Sequence, residues 1–244
     1  MSRIPMAGRP LVVSPHLDDA VPGCGHALAR HPGAVVCTAP SAPPERNMST
    51  ARDRAARFAD AFETMRVRRE EDRQALPGAS AARPPSCGAR YESPPAPERL
   101  RTMLRRSLAT VRPDSQRMPL GPFHSDHTPV ADAVLACLAA WRPEAPGDAP
   151  PAPPTMCAYE DVPYPMTDGI VEARLRLLAA NDWSMGRVEL ASASDDTRPG
   201  KPKPAATAAY RSQLRAFGPG QASLHVVGHH GRVREPENRA TSSS

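Results

Sequence analysis

Pro10-Leu11-Val12-Val13-Ser14-Pro15-His16-Leu17-Asp18-Asp19 is the stretch on which the reading of this chain turns. An apolar, β-branched run stops at a proline and hands over one histidine and two adjacent carboxylates. Gly23-Cys24-Gly25-His26-Ala27-Leu28-Ala29-Arg30 follows and reads as a tight turn entering a short helix. The unit is strand, loop, helix, and open α/β sheets keep their sites in loops at the carboxyl ends of strands. Imidazole and carboxylate are standard ligands of divalent metals, so His16 and Asp19 can face one cation, with Asp18 beside them to act as a base. The competing reading is helix capping, in which the two aspartates only satisfy orphan amide groups and the helix dipole. A dinucleotide loop is not supported, because Leu28 stands where its third glycine would be. No Gly-Lys-Ser or Gly-Lys-Thr follows the strand to make a P-loop.

A second unit of the same kind lies roughly a hundred residues on. Met118-Pro119-Leu120-Gly121-Pro122-Phe123 leads into His124-Ser125-Asp126-His127, and an apolar helical run from Val130 to Leu138 follows. Either loop alone is a weak signal. Two strand-to-helix junctions, each carrying His and Asp, together supply three metal ligands and leave a coordination position open.

These residues resemble the zinc-dependent de-N-acetylases of the PIG-L/LmbE-like group, whose motifs are Pro-His-Pro-Asp-Asp-Glu and His-x-Asp-His. Here they stand as Pro15-His16-Leu17-Asp18-Asp19-Ala20 and His124-Ser125-Asp126-His127. Three more segments match in order. Arg68 to Leu76 resembles an Arg-x-x-Glu-x-x-x-Ala helix, Tyr159-Glu160-Asp161-Val162-Pro163-Tyr164 a Tyr-Glu-Asp-x-Pro-Tyr segment of one bacterial branch, and Tyr210-Arg211-Ser212-Gln213 a Tyr-x-Ser-Gln element. The likeness runs from about position 10 to about position 215. Leu17, Ala20 and Pro22 depart from the usual pattern without touching a metal ligand.

The resemblance implies an α/β, Rossmann-like fold and a Zn2+ ion held by His16, Asp19 and His127. Asp18 is then the general base. A protonated His124 stabilises the oxyanion, with Asp126 fixing its ring orientation and charge. Tyr159, Glu160 and Asp161, at a strand end, either line the substrate pocket or order the loop. The implied substrate is an N-acetylated amino sugar of the N-acetylglucosaminide type on a small-molecule or lipid aglycone, and the products are an amine and acetate.

Composition narrows the class. The chain has 244 residues, 40% of them hydrophobic, enough for one good-sized core, although aromatics are only 4% and prolines number 31. Of 31 basic residues only Lys201 and Lys203 are lysines. The net charge of +5 invites a nucleic-acid reading. Its distribution argues against one, because acid and base alternate from Glu45 to Arg73 and the basic excess at Arg99 to Arg117 carries no interleaved aromatics. Cys24, Cys37, Cys87, Cys137 and Cys157 show no CxxC spacing; three of them lie in apolar segments and read as small buried hydrophobes, and a reducing cytoplasm is the plain inference. No signal-peptide pattern or membrane-length apolar run is present.

The remaining pattern predicts alternating strands and helices in one domain with a mostly parallel sheet. Ala34 to Thr38 reads as a strand. Ser49 or Thr50 caps one long helix ending near Leu76, Ala79 to Pro97 is loop, and Glu98 to Val111 is helical. Arg142 to Pro154, with six prolines in thirteen residues, is a connector. Met156 to Tyr159 is a strand, Ile170 to Ala180 a helix, Arg187 to Ala191 a last strand and Pro204 to Phe217 a final helix. Residues 8–217 form the catalytic domain, and 218–244 a polar, disordered tail in which His229-His230 is an exposed pair. Trp141 and Trp183 are expected to pack at helix ends.

Three functions fit: a zinc amidohydrolase, a metal-dependent phosphoesterase, or a degenerate, non-catalytic relative that binds a ligand or partner. Metal content separates the third from the others, and acetate release separates the first from the second.

Overall fold

The first strand, β1 (Pro10–Ser14), is buried along its whole length, as a parallel strand covered on both faces should be. Alternation along it divides the core in two. Leu11 and Val13 join Val35 and Cys37 of β2 (Val35–Thr38) beneath α4 (Pro97–Val111), α5 (His127–Ala139) and α6 (Ile170–Ala180). Val12 and Val36 face the opposite way, beneath α1 (Ala20–Arg30), α3 (Ala61–Ala75) and α7 (Lys203–Thr207). This is an α/β sandwich with the sheet as its middle layer. The computed structural model describes residues 9–39, 43–76, 80–82, 96–122, 124–141, 154–161, 168–188, 203–217 and 233–236.

The sheet runs β3-β2-β1-β4-β5-β7-β6, with β3 (Ser80–Ala82), β4 (Ser115–Pro119), β5 (Thr155–Tyr159), β6 (Met185–Val188) and β7 (Val233–Pro236). The first five strands are parallel; β7 is antiparallel to both β5 and β6. The chain winds outward from β1 to β2 and β3, then returns to β4 on the other side of β1. That reversal is the topological switch point, where open α/β sheets form a crevice beyond the carboxyl ends of their strands.

Several boundaries differ from the sequence expectation. Gly23 and Gly25 are interior positions of α1, not a turn before it. At Gly23 a Cβ would lie 2.3 Å from Tyr159 Cδ2, so the missing side chain is what lets the tyrosine ring seat against the helix. Tyr159 is 1% exposed and its hydroxyl donates to the Val13 carbonyl at 2.9 Å, which ties the ring in place. Gly23→Ala is therefore expected to destabilise the protein. The usual helix gain of about 1 kcal/mol is outweighed by overpacking, for a net loss of about 2 kcal/mol. Calorimetry should show the melting temperature falling by about 4–8 °C; an unchanged value would mean that α1 and Tyr159 separate at little cost.

The expected long helix is two. Thr50 and Asp53 bond reciprocally through Asp53 N to Thr50 Oγ1 at 3.1 Å and Thr50 N to Asp53 Oδ2 at 2.9 Å, opening α2 (Ala51–Ala55). Arg57 then turns into the left-handed region at φ 63, and Asp60 starts α3 afresh by accepting from Glu63 N at 2.8 Å. The expected final helix is likewise α7 and α8 (Arg211–Phe217), separated by Ala208, Ala209 and Tyr210. Within 79–97, expected as loop, Ser80–Ala82 adds an edge strand to β2.

Within 218–244, expected as a disordered tail, Val233–Pro236 is instead an internal strand. Val-Arg-Glu-Pro lacks an apolar alternation of its own, and pairing on both sides holds it in the sheet. His229, His230 and Cys87 lie outside the described residues; Cys24, Cys37, Cys137 and Cys157 are buried and unbridged. Trp141 and Trp183 pack against the core as expected. No helix among the described residues is long and apolar enough to cross a membrane.

Two of the distant motif segments lock together. Glu71 of α3 accepts from Ser212 N at 2.8 Å and from Ser212 Oγ at 2.6 Å, and Asp72 accepts from the Tyr210 hydroxyl at 2.8 Å. All four residues are buried. The segment around 68–76 thereby fastens α8 onto the α1 side of the sheet.

Candidate metal centre

β1 and β4 are neighbours, so the loops leaving their carboxyl ends open onto the same space. Asp19 holds the N-cap position of α1, yet its side chain makes no capping bond. Its Oδ2 accepts from the His16 backbone N–H at 2.8 Å and lies 3.1 Å from His16 Nδ1 and 3.3 Å from His127 Nε2. The third edge, His127 Nε2 to His16 Nδ1, is 3.1 Å. The capping reading therefore fails for Asp19. A tetrahedral site with bonds of 2.0–2.1 Å has edges of about 3.3 Å, so one divalent cation fits among these three donors. Two imidazole nitrogens and a carboxylate oxygen are also a suitable chemical set for such an ion.

His124 and Asp18 flank the triangle. A donor nitrogen of His124 lies with those of His16 and His127 inside 4.8 Å, and the Asp18 carboxylate lies equally close to His16 and Asp19. The His124 ring centroid is 5.1 Å from that of His16 and 5.1 Å from that of His127. Both α1 and α5 begin here, and their positive ends favour negative charge in the crevice.

The charges of the site are coupled. Burial opposes ionisation of Asp19, but His127 and His16 outweigh it and hold the carboxyl well below its usual range. Burial likewise opposes charge on His127; Asp19 and the hydrogen bond that the ring donates to Asp161 overcome it and raise the imidazole to about 10.

The sequence placed Asp126 on His124. The structure places it elsewhere. Asp126 Oδ2 lies 3.0 Å from His16 Nε2 but 3.7 Å from His124 Nδ1, beyond hydrogen-bond reach. The Asp126 backbone N–H instead donates to His124 Nδ1 at 3.2 Å, so a neutral His124 carries its proton on Nε2. Partial burial, then the neighbouring His16 and His127, push the His124 pKa down from 6.5, against a smaller pull from Asp126. The expected Asp126–His124 pairing is thus not formed, and the surroundings of His124 disfavour the imidazolium expected there.

Tyr159, Glu160 and Asp161, expected either to line the substrate pocket or to order the loop, are all buried. Tyr159 packs on α1 through its ring. Asp161 Oδ1 lies 2.6 Å from His127 Nδ1, and its Oδ2 accepts from the Gly121 N–H at 2.8 Å. The Asp161 contacts order the loop after β4.

The loop after β4 is tethered from three elements. Besides Asp161, Arg174 of α6 donates from Nε to the Leu120 carbonyl at 3.0 Å, and Thr128 Oγ1 donates to the Gly121 carbonyl at 2.8 Å. Gly121 itself sits at φ 69, and a Cβ there would meet His127 O at 3.0 Å. Arg174 gave no sign in the sequence, being one of two arginines on its helix. The Asp161 contact spans 34 residues and is visible only once β4 and β5 are paired.

No protein-family model matches the chain, and no curated protein matches it in sequence. Solved structures do share its fold. The zinc-inhibited form of teicoplanin deacetylase Orf2 superposes with a TM-score of 0.67 at 18% identity, covering 93% of this chain and 97% of that one. The A40926 pseudoaglycone deacetylase Dbv21 gives 0.62 at 21% identity, over 93% and 96%. N,N'-diacetylchitobiose deacetylase from Pyrococcus horikoshii gives 0.52 at 16% identity, over 84% and 70%. At these identities the likeness establishes the α/β architecture.

Proposed function

We propose that this protein is a zinc-dependent amidohydrolase that removes the acetyl group from an N-acetylated amino sugar. The observation that carries the reading is the triangle of His16 Nδ1, Asp19 Oδ2 and His127 Nε2, with edges of 3.1 to 3.3 Å at the switch point of the sheet. Support comes from the deacetylases that share the fold and from the motif residues around it. His16, Asp19 and His127 would hold the ion, which when bound acts as a Lewis acid and lowers the pKa of a water towards roughly 7.

The chain's own groups supply the rest. Asp18, beside the triangle but outside it, takes a proton from the attacking water. His124, with Nδ1 engaged by the Asp126 amide, presents Nε2–H to the oxygen on which negative charge develops. Asp126 meanwhile holds His16 through Nε2. The acyl group leaves as acetate and the sugar keeps a free amine.

An N-acetylglucosaminide on a small-molecule or lipid aglycone is the substrate class in view, the acetamide being the group the site acts on. The test is to load purified protein with zinc and assay acetate release from N-acetylglucosaminides, an acetylated glycopeptide aglycone and p-nitrophenyl phosphate. Acetate from any glycoside is the expected result. Phosphate release alone would favour the phosphoesterase reading, and a protein that takes up no metal would favour the non-catalytic one.

A further inference from the structure

We infer that Asp161 is the positioning residue of this site: it fixes which nitrogen of His127 faces the metal and pins the β4 loop in the same act. The inference rests on the metal reading given above. Both side chains are sealed from solvent, His127 at 2% exposure and Asp161 at 0%, and their 2.6 Å contact lies on the side of the ring away from His16 and Asp19. A carboxylate can only accept, so Nδ1 must carry the hydrogen, and in the neutral ring that a metal requires Nε2 keeps its lone pair towards the other two donors.

The second oxygen does separate work. It accepts from Gly121 N, at the left-handed turn that carries the chain out of β4 towards His124. One buried carboxylate at the end of β5 therefore sets both the rotation of a ligand and the path of the loop that delivers it. Neither contact leaves Asp161 facing a substrate. Its place in the chemistry is to hold His127 ready, so that the site forms at little cost in ordering.

Asp161→Asn separates this role from simple packing. The amide has the same shape but one acceptor oxygen, while two N–H groups need an acceptor. Whichever way it turns, its NH2 faces an N–H. His127 can relieve the clash by moving its proton to Nε2, the nitrogen the metal requires. The expected result is zinc affinity, measured by chelator competition, falling by roughly 10- to 100-fold, with the d–d bands of the Co2+-loaded protein shifted. Thr128→Val removes the Gly121 contact on the other side of the turn and should leave zinc affinity within about twofold of wild type.

A third measurement needs no variant. In zinc-loaded wild type, long-range 15N–1H spectra should show His127 protonated on Nδ1 and metal-shifted on Nε2. Wild-type affinity in Asp161→Asn, an equal loss in Thr128→Val, or a metal-shifted Nδ1 would each overturn the inference while leaving the zinc site standing. Absence of zinc uptake by the wild type overturns the metal reading, and this inference with it.

Discussion

Asp18→Asn is expected to keep its zinc and lose two to four orders of magnitude in acetate release, roughly the worth of a general base. Asp19→Ala, one position on, is expected to lose the metal itself. The two neighbours separate because their carboxylates go to different places. Asp19 Oδ2 sits within 3.3 Å of both ligand histidines, whereas Asp18 stands at the margin of that triangle and is half-buried. Asparagine at 18 preserves size and polarity but cannot take a proton at neutral pH. Metal analysis by mass spectrometry beside an acetate assay checks both variants. Zinc lost from Asp18→Asn, or retained by Asp19→Ala, would exchange the two roles.

The second large effect is on stability and lies away from the site. Lys203 is 1% exposed, its stem packed on Gly25 of α1. Burial, partly countered by Cys24, lowers its pKa from 10.5 to about 8. Below about pH 8 the ammonium is charged in both folded and unfolded chains, and its burial weighs against the folded state. Between about 8 and 10.5 the folded lysine is neutral while the unfolded one is still charged. The unfolded state then binds more protons, and this group's contribution to stability rises with pH across that window.

A shift of this size corresponds to roughly 3 kcal/mol at 1.36 kcal/mol for each pH unit. Wild-type stability should thus rise relative to Lys203→Met by up to roughly 3 kcal/mol between about pH 8 and 10.5. Denaturant titrations of both proteins at pH 7 and pH 10 make the comparison. Parallel pH profiles would mean that the ammonium is solvated in the native protein.

Much of the architecture was legible because local pattern and tertiary environment agreed. The run from Pro10 to Val13 is apolar at every position, as a doubly covered strand must be, and the helix from Glu98 puts Leu100, Met103, Leu104 and Leu108 on one side, all of which are buried. The convergence of His16, Asp19 and His127 followed from reading two strand-end loops as parts of one crevice. What stayed hidden was decided by contacts between distant segments. The sequence cannot show that Asp126 reaches across to His16 Nε2 rather than to His124 two residues away, because that depends on how the β1 and β4 loops face each other. Val233–Pro236 was invisible for a related reason: nothing in four mixed residues announces a strand when both of its partners lie elsewhere in the chain.

That late strand bears on how the protein is made. β5 is translated some seventy residues before β7, and β6 hydrogen-bonds within the sheet through β7. During synthesis the parallel strands β1, β2, β4 and β5 can therefore assemble with the outer edge of β5 still open. An unpaired edge of this kind templates wrong partners until its own strand arrives. Nascent chains arrested before residue 233 should cross-link to one another and to holding chaperones, and release past residue 236 should end it.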